Sequence, residues 1–167
     1  MRSQIPCLTR PQPFGRGIFA PMRNFGFYEA MKEFYGKPDG PPIESSEVSL
    51  TFTLLPGGSS SQIVPATGGV RWITDINYTL SGANAVLVDP AELRVSSWIN
   101  PDKDDDSKIV VVTEDQPLSL VFGTAERQRA IFPRRHESTD LRLFEIFNTT
   151  RLPITVNLSI QSLVMAG

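Results

Sequence analysis

The feature that most constrains the fold is a period-two alternation of apolar and polar residues that begins after residue 42. From Val48 to Leu54 the even-numbered residues are Val, Leu, Phe and Leu, and the odd-numbered residues are Ser or Thr. Successive side chains of a strand point to opposite faces, so this pattern predicts a strand with one apolar face. A similar alternation begins at Ile154, and it predicts that Ile154, Val156, Leu158, Ile160 and Val164 face inward, with Thr, Asn, Ser and Gln at 155, 157, 159 and 161 facing outward. These two segments predict half-buried strands.

Strand-like runs also fill the region between these two segments, and turn residues separate nearly all of them. The further predicted strands are Gln62–Pro65, Val70–Leu80, Ala85–Asp89, Glu92–Ile99, Lys108–Thr113, Leu118–Phe122, Arg127–Phe132 and Leu141–Asn148. No helix is predicted after residue 42. About ten short strands with regular turns are typical of an antiparallel sandwich or barrel, and a Greek-key jelly roll is our first choice. No repeat of fixed period is visible, which argues against a propeller or a solenoid.

The two tryptophans of this region differ in what their patterns indicate. Trp72 shares one face of its strand with Val70, Ile76, Tyr78 and Leu80, opposite Arg71, Asp75, Asn77 and Thr79. We therefore assign Trp72 to the core. The face of Trp98 is not determined by its neighbours, and an exposed, planar Trp98 is the feature that a sugar-binding sandwich would need.

The first 42 residues have a different character. Their prolines and glycines leave room for only one short helix, roughly Phe27 to Phe34, because Pro and Gly interrupt helices elsewhere. Three prolines between Lys37 and Pro42 then favour extended or turn backbone and predict a hinge. The predicted organisation is a mostly irregular, extended N-terminal arm at 1–42 and a β-sandwich domain at 43–167.

The arm combines positive charge with aromatic side chains. Six basic and two acidic residues give 1–37 a net charge of +4, whereas ten basic and sixteen acidic residues give 38–167 a net charge of −6. Seven of the fifteen aromatics lie in the first 35 residues. Exposed aromatics promote association, so we expect them to dock on a protein surface; packing of some of them under the sandwich is the alternative. The candidate docking residues are Phe14, Phe19, Arg23, Phe25, Phe27, Tyr28, Phe34 and Tyr35.

Nucleic acid is the alternative partner for such an arm, since rings can stack on bases while cations follow the phosphates. Its six basic residues are sparse over 37 positions and accompany two acids. Docking on protein is therefore favoured over nucleic-acid binding. A membrane partner is not expected either, because charge, Gly or Pro interrupts every apolar stretch well before the ~18 residues that a bilayer span requires. The N-terminus also lacks an apolar block of secretory length.

An enzyme is not predicted from the reactive residues. His136 is the only histidine, and it lies in the segment Arg134–Ser138, which we interpret as a solvated loop rather than a miniature active site. Cys7 is the only cysteine and has no base beside it, so it is expected to be inert and to form no internal disulfide. No catalytic residue is assigned. Glycine-rich phosphate-binding motifs are missing from the sequence, and no cofactor is predicted.

The sharpest local motif is the acidic segment Asp102–Ser107. Its acids occupy positions one, three and five of a calcium loop, but position six is Ser107 and position twelve is Thr113, where Gly and Glu are expected. We therefore interpret the segment as a hydrated hairpin tip between two strands and assign no metal.

Four segments carry a resemblance to a known family. They are SLTFTLLPGGSSSQIVPA, VRWITDINYTLSG, LVFGTAERQRAIFP and LRLFEIFNTTRLPITVNLSIQSLVMAG. The stretch from Phe52 to Gly167, about two thirds of the chain, resembles the jelly-roll structural proteins of tailed-bacteriophage virions. The resemblance is to capsid decoration (cement) proteins and related minor head proteins. The arm matches no pattern of that family.

The resemblance implies a structural virion protein that attaches to and stabilises a viral capsid, here through its N-terminal arm. It implies a virion location, a major capsid or other virion protein as partner, and a homo-oligomer, for which we expect a trimer. A receptor- or carbohydrate-binding sandwich on a phage tail or head fibre remains open as the alternative.

Overall fold

The computed structural model describes residues 43–66, 68–124, 127, 129 and 133–165. Eight strands and one short α-helix, α1, account for most of them. The strands are β1 (Ile43–Leu54), β2 (Ser59–Val64), β3 (Val70–Ser81), β4 (Leu93–Asn100), β5 (Val110–Pro117), β6 (Arg134–His136), β7 (Leu141–Asn148) and β8 (Ile154–Met165), and α1 is Leu118–Phe122. Two single 3-10 turns, Pro90–Glu92 and Asp106–Lys108, precede β4 and β5.

The strands form two four-stranded sheets. Sheet 1 has the order β1-β8-β3-β6 and sheet 2 the order β2-β7-β4-β5, and all neighbouring strands are antiparallel. This order of eight strands is that of a Greek-key jelly roll. The predicted all-β antiparallel sandwich is confirmed.

The core lies between the two sheets and follows from the alternation in the sequence. Phe52 of β1 and Val156 of β8 face inward from sheet 1, and Phe144 and Ile146 of β7 face them from sheet 2, all with no exposed surface. Burial of one such side chain contributes roughly 1.5 to 3 kcal/mol. The two long alternating segments lie in β1 and β8, which pair along the whole length of β1 and contribute much of the inward face of sheet 1.

The predicted strand Ala85–Asp89 is wrong. This segment is a chain of turns in which Ala85 N–H donates to Gly82 O, and the amides of Leu87 and Val88 donate to Asn84 O. The apolar run suggested a strand, but Val88 is buried in the core and Ala85 packs against it, whereas Val86 and Leu87 are largely exposed. Because local hydrogen bonds satisfy the backbone, this segment has no need of a sheet partner.

The prediction of no helix after residue 42 is also wrong at Leu118–Phe122, which forms α1. Leu118 and Phe122 are four residues apart, so a helical turn places both on one side, and both are buried. Gly123 ends the helix at a φ of 85°, a conformation that favours glycine. A five-residue apolar run fits a strand and a buried helical turn equally well by periodicity.

The region before β6 departs from the expected strand Arg127–Phe132. Residues 128 and 130–132 of that prediction lie outside the described residues. Arg127 instead exchanges backbone hydrogen bonds with Thr124, and Arg129 N–H donates to Phe122 O. The strand begins later, at Arg134, and pairs with β3.

A bulge in β3 changes which of its side chains face the core. The pairing with β8 shifts register between Ile73 and Asp75, so that Ile73 and Ile76 both belong to the inter-sheet core. Trp72 is buried as predicted, but it packs with Leu163 in a separate small cluster. Arg71, predicted on the polar face, is only 6% exposed and pairs across the sheet with His136. The bulge therefore brings an arginine next to the only histidine.

Candidate functional site

The candidate docking residues of the arm, Phe14 to Tyr35, lie outside the described residues, and their role stays a prediction. The described chain begins at Ile43, the first residue of β1. Among the described strands, β1 lies at the edge of sheet 1 and pairs with β8 alone. The predicted arm therefore joins the sandwich at a sheet edge.

An apolar row crosses the outer face of sheet 2. Leu143 pairs directly with Ile63 on one side and Trp98 on the other, and Trp98 pairs with Val111. Ile63 and Val111 are 49% and 50% exposed, while Leu143 and Trp98 are half-buried. Outer faces of sandwich sheets are ordinarily polar, and contiguous exposed apolar surface marks an interaction site. We call these four residues the apolar row.

The outer face of sheet 1 is different along β1 and β8. Thr51 Oγ1 donates to Asn157 Oδ1 at 3.1 Å, and Asn157 Nδ2 donates to Ser81 Oγ at 3.0 Å. Ser159 Oγ donates to Glu47 Oε1 at 2.6 Å. This half of the sandwich surface satisfies its polar groups internally and suits exposure to water, so the two outer faces are chemically unequal.

A cavity of about 170 Å³ lies between the sheets, near the edge strands β5 and β6. One part of its wall is apolar, and the other carries two arginines, a histidine and two hydroxyl groups. The apolar side chains are Ile73, Ile76, Val112, Val121 and Phe122, and the polar ones are Ser97, Thr113, Arg134, His136 and Arg142. The cavity therefore offers hydrophobic contact and hydrogen-bonding groups together.

Arg142 is the most deeply buried cation of this cavity, with 8% of its surface exposed. Its Nη2 donates to Ser97 Oγ at 3.1 Å, and its guanidinium lies 4.9 Å from the centroid of the Phe144 ring. Its Nε–H is buried without a hydrogen-bond partner. Burial, with a smaller contribution from Arg134, lowers the pKa of Arg142 to about 10, so it remains charged at neutral pH.

His136 faces the same cavity at 4% exposure. Its Nδ1 lies 2.9 Å from Arg134 O, and a carbonyl only accepts, so Nδ1 carries the proton in the neutral ring. Nε2 is then a bare acceptor, and it is buried without a partner. Burial first, and the charge of Arg142 second, lower the pKa of His136 to about 4. The ring is therefore neutral at pH 7.

The segment Arg134–Ser138 was interpreted as a solvated loop, and the structure corrects this for its first half. Residues 134–136 form β6, and His136 turns inward while Arg135 pairs with Glu137 at 3.0 Å on the surface. Inward and outward side chains alternate along these three residues because a strand directs neighbouring side chains to opposite sides. The strand is too short for its alternation to be read from the sequence.

Sequence reasoning also missed Arg142, although a signal for it exists. Arg142 occupies the same parity in β7 as Phe144, Ile146 and Asn148, so it must face inward with them. Asn148 is the instructive comparison, because its side chain donates to Leu55 O and Leu152 O and accepts from Thr150. The amide of Asn148 therefore has hydrogen-bond partners on both its oxygen and its nitrogen, whereas Arg142, which lines the cavity, has an unpaired Nε.

The acidic segment is a hairpin tip between β4 and β5, as predicted. Lys108 Nζ lies 2.8 Å from Asp102 Oδ2 and 3.4 Å from Asp105 Oδ2. Asp105 also caps the local 3-10 turn through Ser107. Hydrogen bonds from Lys108 and Ser107 hold the pKa values of Asp102 and Asp105 below the ordinary value. Within the described ranges, no group of three or more His, Cys, Asp or Glu is placed to bind a metal ion.

Comparisons with known proteins identify no family. No protein-family model and no curated protein matches this sequence. A crystal structure of the Yersinia pseudotuberculosis-derived mitogen (YPM) is similar over 76% of this chain and 87% of that chain, at 12% identity and a TM-score of 0.32. A likeness at that level carries no argument about function. In the part of the chain that the structure describes, no helix is long and apolar enough to cross a lipid bilayer.

Proposed function

We propose that this chain is a structural virion protein that attaches to a viral capsid and stabilises it. The observation that carries the proposal is the apolar row, Ile63, Leu143, Trp98 and Val111, on one outer face of the jelly roll. A protein that binds to the outside of a capsid needs one face that can form an interface with the capsid and another face that can remain exposed to water. The polar outer face of β1 and β8 meets the second requirement.

The N-terminal arm supplies the second contact surface in this proposal. An extended, aromatic, basic segment can follow a groove on a partner over a long path, at the cost of the entropy lost on ordering. Aromatic and arginine side chains commonly anchor such interfaces, with roughly 2 kcal/mol or more lost on truncation of a central one. The jelly roll itself also occurs in viral capsid proteins, although a fold alone does not determine function.

The first experiment is quantitative mass spectrometry of purified virus particles from the organism or virus that encodes this chain. We expect to find the chain in assembled particles, at a copy number fixed by the number of symmetry-related sites on the capsid. Its absence from particles would contradict the proposal.

The second experiment measures attachment of variants to particles stripped of the protein. Val111→Lys puts a charge into the apolar row, and we expect it to weaken attachment at least tenfold. Ser49→Lys is the matched control, because Ser49 is exposed on β1. Equal attachment of both variants would remove the apolar row from the interface.

The arm is tested separately by Phe25→Ala combined with Phe27→Ala, which we expect to abolish attachment and to leave thermal unfolding of the sandwich nearly unchanged. Charge reversal of Arg16 and Arg23 should mainly slow attachment and make it salt-sensitive, since exposed charge steers encounter. Attachment that survives the double Phe change but is lost on charge reversal would indicate an electrostatic tether instead.

A carbohydrate- or receptor-binding sandwich is the second candidate, and the outward position of Trp98 favours it. Trp98 lies half-buried in the middle of the apolar row, where part of its ring can meet a sugar face. A glycan array with the native chain and the Trp98→Ala variant tests this function. Glycan binding that depends on Trp98, in a protein not found in capsids, would favour it over decoration.

A further inference from the structure

Two residues that line the cavity between the sheets each have one buried polar atom without a hydrogen-bond partner. Arg142 Nε is a charged donor and His136 Nε2 is a bare acceptor, and both residues are more than nine-tenths buried. Buried polar groups in folded proteins are nearly always hydrogen-bonded, so two such atoms in one cavity require an explanation. We propose that this cavity binds a small monocarboxylate with an apolar body, whose carboxylate contacts Arg142 and His136.

The charge of the site selects an anion. Arg142 forms no ion pair with any carboxylate among the described residues, and Arg134 lines the same cavity. A buried cation without a counter-charge is strongly disfavoured, and a bound anion relieves that penalty. The planar guanidinium also suits the two oxygens of a carboxylate. Phosphate esters would bring more charge than one buried arginine balances.

The size and lining of the cavity select the rest of the ligand. Its volume of about 170 Å³ is close to the roughly 150 Å³ of an apolar cavity that accommodates benzene. Ile73 and Ile76 of β3 and Phe122 of α1 supply the apolar wall. The body of the ligand is therefore a six-membered ring or an alkyl chain of similar volume.

His136 makes binding depend on pH. In the free protein its Nε2 has a lone pair and would repel a carboxylate oxygen, but after proton uptake it donates a hydrogen bond to that oxygen. The other charged groups that act on His136 are Arg142 from β7, Arg71 from β3 and Asp140 from the turn before β7. Residues that β4, β5 and α1 contribute to the cavity wall are not titratable. Binding of the anion should therefore take up a proton, and affinity should fall as pH rises.

The test uses the full chain and three probes, namely benzoate, cyclohexanecarboxylate and hexanoate, with benzyl alcohol as the neutral comparison. Isothermal titration calorimetry in two buffers of different ionisation enthalpy measures both affinity and proton uptake. We expect saturable binding of at least one carboxylate and at least tenfold weaker binding of benzyl alcohol. We also expect carboxylate affinity to fall at least tenfold between pH ~5 and pH ~7.5. Failure of all three carboxylates to bind would overturn the proposal.

Variants assign the effect to the two residues. Arg142→Met removes the charge at similar length and should weaken binding at least tenfold, whereas Arg151→Met, at an exposed arginine, should leave it unchanged. Arg142→Lys keeps the charge but lacks the Nε donor, so it tests the role of the guanidinium if the Met variant unfolds. His136→Gln should abolish the pH dependence and the proton uptake. Unchanged binding in both folded Arg142 variants, or an unchanged pH profile in His136→Gln, would overturn the assignment.

Discussion

Acidification from pH ~7 to pH ~5 should lower the free energy of unfolding of this protein, because His136 is buried as a neutral ring. The folded chain holds the pKa of this ring at about 4, against 6.5 for an ordinary histidine, chiefly through burial. The unfolded chain therefore takes up the proton first as the pH falls. The contribution of the neutral, buried His136 to the free energy of unfolding is therefore fully present above pH 6.5, and it is lost progressively as the pH falls toward 4.

The magnitude follows from the two pKa values. Their full difference corresponds to roughly 3 kcal/mol, and the linkage relation assigns about 2 kcal/mol of this loss to the interval between pH ~7 and ~5. Hydrogen bonds from Lys108, Ser107 and Arg94 hold the pKa values of Asp102, Asp105 and Asp115 below their ordinary value, so these three carboxylates do not titrate in this interval. His136 is also the only histidine in the chain.

The assay is urea unfolding of the native chain and of His136→Gln at several pH values between ~5 and ~7. The native chain should lose about 2 kcal/mol across this range, equivalent to about 4 to 8 °C in melting temperature, whereas the Gln variant should lose little. An equal pH dependence in both proteins, or none in the native chain, would refute the burial of His136 as a neutral ring.

Three other outcomes are expected. Phe144→Ala should lower the free energy of unfolding by roughly 3 to 5 kcal/mol, because the ring is fully buried between the sheets, and denaturant unfolding measures this. In limited proteolysis of the free protein, residues 1–42 should be cleaved first while 46–165 resist, because only the latter has an apolar face along each strand; equal resistance would place the arm in the core. Light scattering should give the mass of a homo-oligomer, which we expect to be a trimer, and a strictly monomeric mass in solution and on particles would reject this prediction.

The strands that could be predicted are those with long, regular alternation. Residues 48–54 and 154–164 lie within β1 and β8, which pair with each other along their full length in sheet 1. Their pattern repeats often enough for both the element and its buried face to be read from the sequence. A short apolar run fits a strand, a helical turn or a series of turns equally well. The strand predictions for 85–89 and 118–122 are wrong for this reason.

The candidate cavity was less accessible to sequence reasoning. The inward position of Arg142 could have been inferred from its parity with Phe144 in β7. The lack of a hydrogen-bond partner for Arg142 Nε could not have been inferred, because it depends on which groups of β4 and β6 lie near the guanidinium. The position of Arg71 depends on the register shift in β3, which its sequence does not signal.

Alternation along single strands therefore determined by itself that this chain folds as an antiparallel sandwich, because the period of side-chain direction is a property of each strand alone. Only the tertiary structure determined which side chains lie together in the cavity between the two sheets and which form the apolar row on the outer face. The apolar row needs four strands in register, and the cavity needs residues from β3, β4, β5, β6, β7 and α1. Such contacts join residues far apart in sequence, so they depend on strand order and register, which alternation does not encode.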